Sequence, residues 1–365
     1  MNKRLKYLFY WLLWTAVVAL LVFAGIRTVH LRRALRVTAL EIELKDSTAD
    51  GYLVTGKQVR GWLEKAKIPI IGEAVEQLPL TGIKQLIAEN GFVGETTVYT
   101  TGQGVLRIEI GQRTPLLRLL SGGCDSYVTR EGVVFRAPRS TSVYVAVVTG
   151  DYKPPFPPKF SGHTAWWLEH SLERLDSLNQ ALEWNKRPYF EMSQAYSDSM
   201  RLERRRFIRQ KWWILETEKE FEKRVVKLRA EKKQNRRRFR YIKRLYQDSI
   251  GMLARKQDQN RLEQKKLAKN YEDFMKLLTF VDEVEKDKFW RSEIVQIVAR
   301  STPSGSLELD LIPRSGRFKI RFGRLEYVAE KFEKLNEFYR HGLPQIGWDK
   351  YRMIDVRFSD QVVCK

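Results

Sequence analysis

The side chains able to do covalent or metal chemistry are few and scattered along this chain. His30, His163, His170 and His341 form no HExxH pattern, and none stands near Cys124 or Cys364 at a metal-ligand spacing. His163 and His170 can share one face of a helix, a placement more ordinary for surface or partly packed histidines than for metal ligands. Cys124 follows two glycines but has no nearby histidine to activate it. No Gly-x-Ser-x-Gly elbow, phosphate loop or kinase-type constellation is present. The sequence therefore predicts no catalytic, cofactor-binding or metal-binding residues, and a function carried by surfaces. An oxidising compartment would permit one bridge between the two cysteines but no disulfide framework.

One candidate surface is basic. The chain carries a formal net charge of +22, yet between residues 200 and 270 alone 25 Lys and Arg stand against 9 Asp and Glu. Arg204-Arg-Arg206 and Arg236-Arg-Arg238 alternate with Phe207, Trp212, Trp213, Phe239 and Tyr241, ingredients that suit a nucleic acid, an anionic lipid surface, or cell-wall anions. A further reading is a solvated helical hairpin inserted in a loop of the second domain. Apolar residues at three- and four-residue spacing, Phe221, Val225 and Leu228, then Phe239, Ile242, Tyr246, Ile250 and Leu253, make the whole stretch helix-compatible.

The run Tyr7 to Ile26 has twenty residues without a charge, with Tyr7, Phe9, Tyr10, Trp11 and Trp14 crowded at one end. Its length matches the hydrocarbon core of a bilayer, so it reads as an uncleaved single-pass anchor. Basic residues flank both sides, and a short N-terminus before a long domain places the N-terminus inside and the bulk outside the cytoplasm. That topology argues against a nucleic-acid partner.

Elements able to position these surfaces follow in order. Thr38, Leu40, Ile42 and Leu44 alternate with Ala39, Glu41 and Glu43 as in a half-buried strand. Thr55-Gly-Lys-Gln58 is a capping box opening a helix with Val59, Trp62, Leu63 and Ala66 as its stripe. A second helix through Ile83, Leu86 and Ile87 stops at Asn90-Gly91, read as a C-cap, and a hairpin follows, Glu95 to Thr101 and Val105 to Ile110. The prolines of DYKPPFPPKF mark a boundary near residue 160. The last ninety or so residues return to mixed structure: a helix from Phe274 to Val284, strands from Ser292 to Arg300 and Leu307 to Phe322, a Pro303-Ser-Gly305 turn, a helix from Glu326 to Tyr339, and a final strand from Arg352 to Cys364.

The order β-α-α-β-β resembles a POTRA domain. Gln112-Arg-Thr-Pro115 resembles the Glu-Arg-x-Pro junction that ends this domain in the FtsQ/DivIB family of bacterial division proteins, with Gln in place of the usual Glu. Tyr127 to Phe135 resembles that family's next strand pair around Gly132. Asp287-Lys-Phe-Trp290, Leu309 to Arg314, Glu330 to Leu335, and Tyr351 to Phe358 ending in Gln361-Val-Val-Cys364 are similar to the terminal part of the Bacteroidota type.

The resemblance implies an α+β architecture: a cytoplasmic tail (1–6), a transmembrane helix (7–26), a POTRA domain (35–113), a second domain on a bent antiparallel sheet (114–160 and 272–365), and a long basic helical insertion (161–271). It implies a non-enzymatic inner-membrane scaffold at the division septum, joining FtsB-like and FtsL-like bitopic proteins to septal wall synthesis. An alternative is a POTRA-bearing secretion or assembly factor, although no tandem POTRA repeats or following barrel are evident. Arg113 and Pro115 mark the POTRA junction. Partner binding is expected at Tyr351, Ile354, Asp355, Val356, Arg357, Phe358, Ser359 and Asp360. Ile354, Val356 and Phe358 alternate with Asp355, Arg357 and Ser359, and a last strand at a sheet edge can accept an added strand.

Overall fold

A computed structural model of the chain describes residues 11–24, 35–45, 53–137, 143–302, 305–359 and 361–365. They fall into two compact units, Met1–His163 with Met275–Lys365, and Thr164–Phe274. Residues 11–24 are helical (α1) and exposed along their length. Among the described residues no helix is long and apolar enough to cross a membrane. Residues 7–10 and 25–26 of the expected anchor lie outside the described residues.

The first unit begins with a POTRA-like layer. Strand β1 (Ala39–Leu44) pairs parallel to β3 (Val105–Gln112), and β2 (Val93–Thr100) pairs antiparallel to β3, giving the order β1-β3-β2. Helices α2 (Gly56–Lys65) and α3 (Leu80–Ala88) cover one face with Val59, Leu63, Ile83 and Ile87, all buried. The capping box forms: Thr55 Oγ1 accepts from Gln58 N at 3.3 Å, and Gln58 Oε1 accepts from Thr55 N at 2.9 Å. Across the outer face Glu41 pairs with Arg107 at 2.6 Å, one rung of the β1–β3 register.

Asn90-Gly91 does more than end a helix. Asn90 Oδ1 accepts from Phe92 N at 3.0 Å, while Gly91 lies so close to the second domain that a Cβ there would fall 2.8 Å from Phe135 Cγ. Phe92 packs against Phe135 and Tyr127 with ring centroids 5.2 and 5.6 Å away, so two aromatics of the second domain complete the POTRA core. The glycine is needed for that close approach, not for a left-handed cap.

The second layer is a ten-stranded sheet ordered β13-β12-β11-β10-β9-β7-β4-β5-β6-β8. Its members are β4 (Pro115–Ser121), β5 (Ser126–Thr129), β6 (Val133–Arg136), β7 (Ala146–Gly150), β8 (Gly162–His163), β9 (Ile294–Ser301), β10 (Leu307–Pro313), β11 (Lys319–Gly323), β12 (Met353–Asp355) and β13 (Val363–Cys364). The expected antiparallel sheet is in fact mixed, because β4–β7, β7–β9 and β11–β12 pair in parallel. Parallel neighbours need a crossover, and each of these pairs has one: the β5–β6 hairpin, the whole inserted unit, and the helices before β12. The proline-rich stretch is packed, with Tyr152 and Phe156 buried and Ser121 Oγ donating to Tyr152 O at 2.6 Å. Residues 303–304 of the expected Pro303-Ser-Gly305 turn lie outside the described residues.

The second unit is a helical hairpin of α4 (Thr164–Arg205) and most of α5 (Glu218–Lys286). The helix expected from Phe274 to Val284 is not separate but is the end of α5, since nothing in that stretch breaks the helix. Within the hairpin, Tyr196 stacks on Tyr246 at 5.9 Å and meets Phe239 at 6.0 Å. A polar seam adds Gln257 Nε2 to Asn179 O at 3.0 Å and Gln264 Nε2 to Asp176 Oδ1 at 2.6 Å. Phe239, one of the aromatics that alternate with the arginine clusters, is engaged inside the hairpin.

Candidate functional site

The residues singled out near the C-terminus lie where β10, β11, β12 and β13 meet α7 (Val328–Glu337). Short α6 (Lys288–Glu293) starts there at Asp287, whose carboxylate accepts from Phe289 N and Trp290 N at 2.8 and 3.1 Å. Trp290, Phe280, Phe322 and Phe332 then form an aromatic layer, Phe280 stacking on Phe332 at 5.7 Å, which seats α7 on the sheet. Buried Tyr339 closes that layer and donates from its hydroxyl to Glu293 at 3.2 Å. Burial and the Glu293 carboxylate push its phenol well above the ordinary value.

The expected final strand from Arg352 to Cys364 is two short strands separated by a loop. β12 lies inside the sheet, parallel to β11 and antiparallel to β13, so the edge belongs to β13 and not to residues 354–358. The predicted alternation also fails at two residues, Asp355 and Phe358. Ile354 and Val356 are buried as expected, but so is Asp355, while Arg357, Phe358 and Ser359 are exposed and Tyr351 is half-buried. Asp360 lies outside the described residues.

Buried Asp355 is tolerable because its partner is local. Its carboxylate accepts from Arg357 Nε at 2.9 Å, Nη2 at 2.8 Å and the Arg357 backbone N at 3.2 Å. Burial pushes the carboxyl up, but the Arg357 hydrogen bonds and charge outweigh it and leave it below the ordinary carboxylate value. The Arg357 stem lies over Gly323, where a Cβ would come within 2.6 Å of Arg357 Cγ and Cδ, and where φ is +75°. In register across three strands, Asp310, Arg321 and Asp355 alternate in sign, with Arg300 also paired to Asp310.

α7 grips the segment after β12 from the other side. Lys334 Nζ donates to Val356 O at 3.3 Å, to Ser359 O at 3.1 Å and to Phe358 O. Lys331 is buried, donates to Arg324 O at 2.6 Å and lies over the Phe322 ring, and burial lowers its pKa. Two clefts of about 600 and 720 Å³ flank this segment, the first lined by Tyr327, Lys331, Lys334 and Arg357, the second by Glu333, Glu337, Phe338 and Val362.

β13 finishes the sheet. Met353 and Lys365 exchange both backbone hydrogen bonds, at 3.0 and 2.9 Å, so the next pair, Ile354 and Cys364, is the non-hydrogen-bonded kind. The N–H and C=O of Cys364 therefore point away from β12, toward the open edge. Neither cysteine is bridged: Cys124 follows β4, six places along the sheet from β13. At about 4.8 Å per strand they stand far beyond disulfide reach.

At the POTRA junction, Arg113 N donates to Phe92 O at 2.8 Å and its guanidinium to Gly91 O at 3.3 Å, while buried Pro115 opens β4 opposite Thr129. Gln112 has a task that reading the sequence missed. Its side-chain oxygen accepts from Leu53 N and Val54 N at 2.7 and 3.0 Å, pinning the approach to α2.

His170 bonds Trp166 O at 2.9 Å and stacks on its ring. Among the described residues no group of His, Cys, Asp and Glu could hold a metal ion. No curated protein sequence matches the chain. Residues 36–111 match the POTRA-like domain and residues 259–365 match the domain described as FtsQ/DivIB, C-terminal related. With both domains in one chain and in this order, the two matches support an FtsQ/DivIB family protein, a family of non-catalytic cell-division proteins.

Proposed function

We propose that this chain is a scaffold of the division machinery held in the bacterial inner membrane by the apolar run at residues 7–26. Residues 1–6 lie in the cytoplasm, and the POTRA domain, the second domain and the basic helical insertion lie in the periplasm at the septum. The scaffold joins FtsB-like and FtsL-like bitopic proteins to septal peptidoglycan synthesis. The observation that carries this reading is the open edge of β13 beside a surface built from Arg357, Phe358, Ser359 and α7. A partner strand adds to β13 by backbone hydrogen bonds, and its flanking residues lie along α7, where Glu330, Glu333 and Glu337 offer anions and Arg357 a cation. Phe358, 45% exposed, supplies an apolar anchor.

The test is capture of the tagged full chain from solubilised membranes, with identification of what accompanies it. Recovery of small bitopic FtsB-like and FtsL-like proteins supports the scaffold. Recovery of outer-membrane barrel components instead overturns it in favour of an assembly factor.

A further inference from the structure

The turn of the helical hairpin is an apolar tip on a cationic collar. From residue 204 to 215 the sequence is RRRFIRQKWWIL, five cations and no acidic side chain. Trp212, Trp213, Ile214 and Leu215 are 81, 64, 61 and 91% exposed, and Phe207 is also exposed. Such a cluster of large apolar side chains in water is costly unless something covers it.

The exposure is built into the turn. Trp212–Ile214 form one 3-10 turn that ends with Leu215 in the left-handed region, φ 51°. Behind it, the Glu216 side chain is only 7% exposed, pairs with Arg224 of α5 and accepts from Lys211 N at 2.8 Å. Hydrogen bonds and the Arg224 pair hold Glu216 below its ordinary pKa. Lys232 of α5 reaches across to Arg204 O and Arg206 O at 3.0 and 2.6 Å. α4 is 42 residues long, so the tip stands about 60 Å along the hairpin from its base.

We propose that this tip docks on an anionic phospholipid bilayer, with Trp212, Trp213, Ile214 and Leu215 entering the boundary between headgroups and acyl chains and the arginine collar binding lipid phosphates. Tryptophan favours that boundary, and cations directly behind apolar residues match the order of layers met on entering a membrane. A nucleic acid would use the indole faces but offers no hydrocarbon for Ile214 and Leu215, and wall polymers share that lack. The inference sharpens the anionic contact expected of the basic segment and is independent of the partner surface at β13.

The experiment places a nitroxide at Leu215→Cys in a Cys124→Ser, Cys364→Ser background of the full chain reconstituted into vesicles. In vesicles containing phosphatidylglycerol the label becomes accessible to oxygen and shielded from a water-soluble quencher. In pure phosphatidylcholine it stays aqueous. Replacing Arg204, Arg205 and Arg206 by Gln weakens the shielded state about a hundredfold. A label equally aqueous in both lipids overturns the proposal, as does shielding that appears only on adding a single-stranded oligonucleotide. Failure of the chain to stay with phosphatidylcholine vesicles sinks the anchor reading, and the label in anionic vesicles still decides this one.

Discussion

The ammonium nitrogen of Lys334 lies 3.1 Å from the carbonyl oxygen of Ser359 and also donates to the carbonyl oxygens of Val356 and Phe358, so one side chain of α7 fixes the exit of β12. Lys334→Met keeps the stem and removes the donor. It should cost about 1–3 kcal/mol by urea unfolding and speed amide exchange across residues 356–362. An unchanged exchange pattern would mean that the backbone holds the segment unaided.

Asp355 makes the second domain acid-sensitive in a defined window. Its folded pKa lies below the ordinary 3.8, so the folded state binds fewer protons there than the unfolded chain. The stability it contributes is fully present above that value and is lost as pH falls through the lower folded pKa. Asp355→Asn should lower stability at neutral pH, because Arg357 loses its charge partner, and should flatten the acid limb of a stability–pH curve. Equal acid limbs in the two proteins would remove Asp355 from the account.

Gly91→Ala tests the join between the two domains of the first unit. A methyl there meets the Phe135 ring, so the variant should lose about 1–3 kcal/mol through overpacking. Phe135→Ala should lose about 3–5 kcal/mol, since that ring fills the core shared with Phe92 and Tyr127. If Gly91→Ala is neutral, the ring shifts without cost and the contact is loose.

How far these features could be read in the sequence depended on their range. The Thr55–Gln58 capping box and the β-α-α-β-β order are local, and they form as their residues require. The place of β12 in the sheet was hidden, because period-two alternation assigns faces but not neighbours. β12 becomes internal only when α7 carries the chain back beside β11 and the last residues fold onto it. Asp355 broke the alternation because its compensating charge, Arg357, also sits in the strand's exit, a pairing that reads from sequence as two polar residues facing water. Gln112 looked like a departure from a junction motif, yet an amide oxygen suffices to accept from Leu53 N and Val54 N. The continuity of α5 was missed because the family resemblance, which resumes near residue 272, suggested a boundary where no helix breaker stands.

The central claim is that the open edge of β13 takes a partner strand through Cys364, whose N–H points outward. Cys364→Pro removes that single donor while leaving the Met353–Lys365 hydrogen bonds to β12 possible, and proline keeps Val363 extended. The decisive measurement is capture of an FtsB-like partner by the full chain and by this variant, with amide exchange in β11 and β12 as the check on folding. The account predicts native exchange protection and lost capture. Full capture by a natively protected Cys364→Pro chain would contradict strand addition at this edge and move the partner to the face of α7.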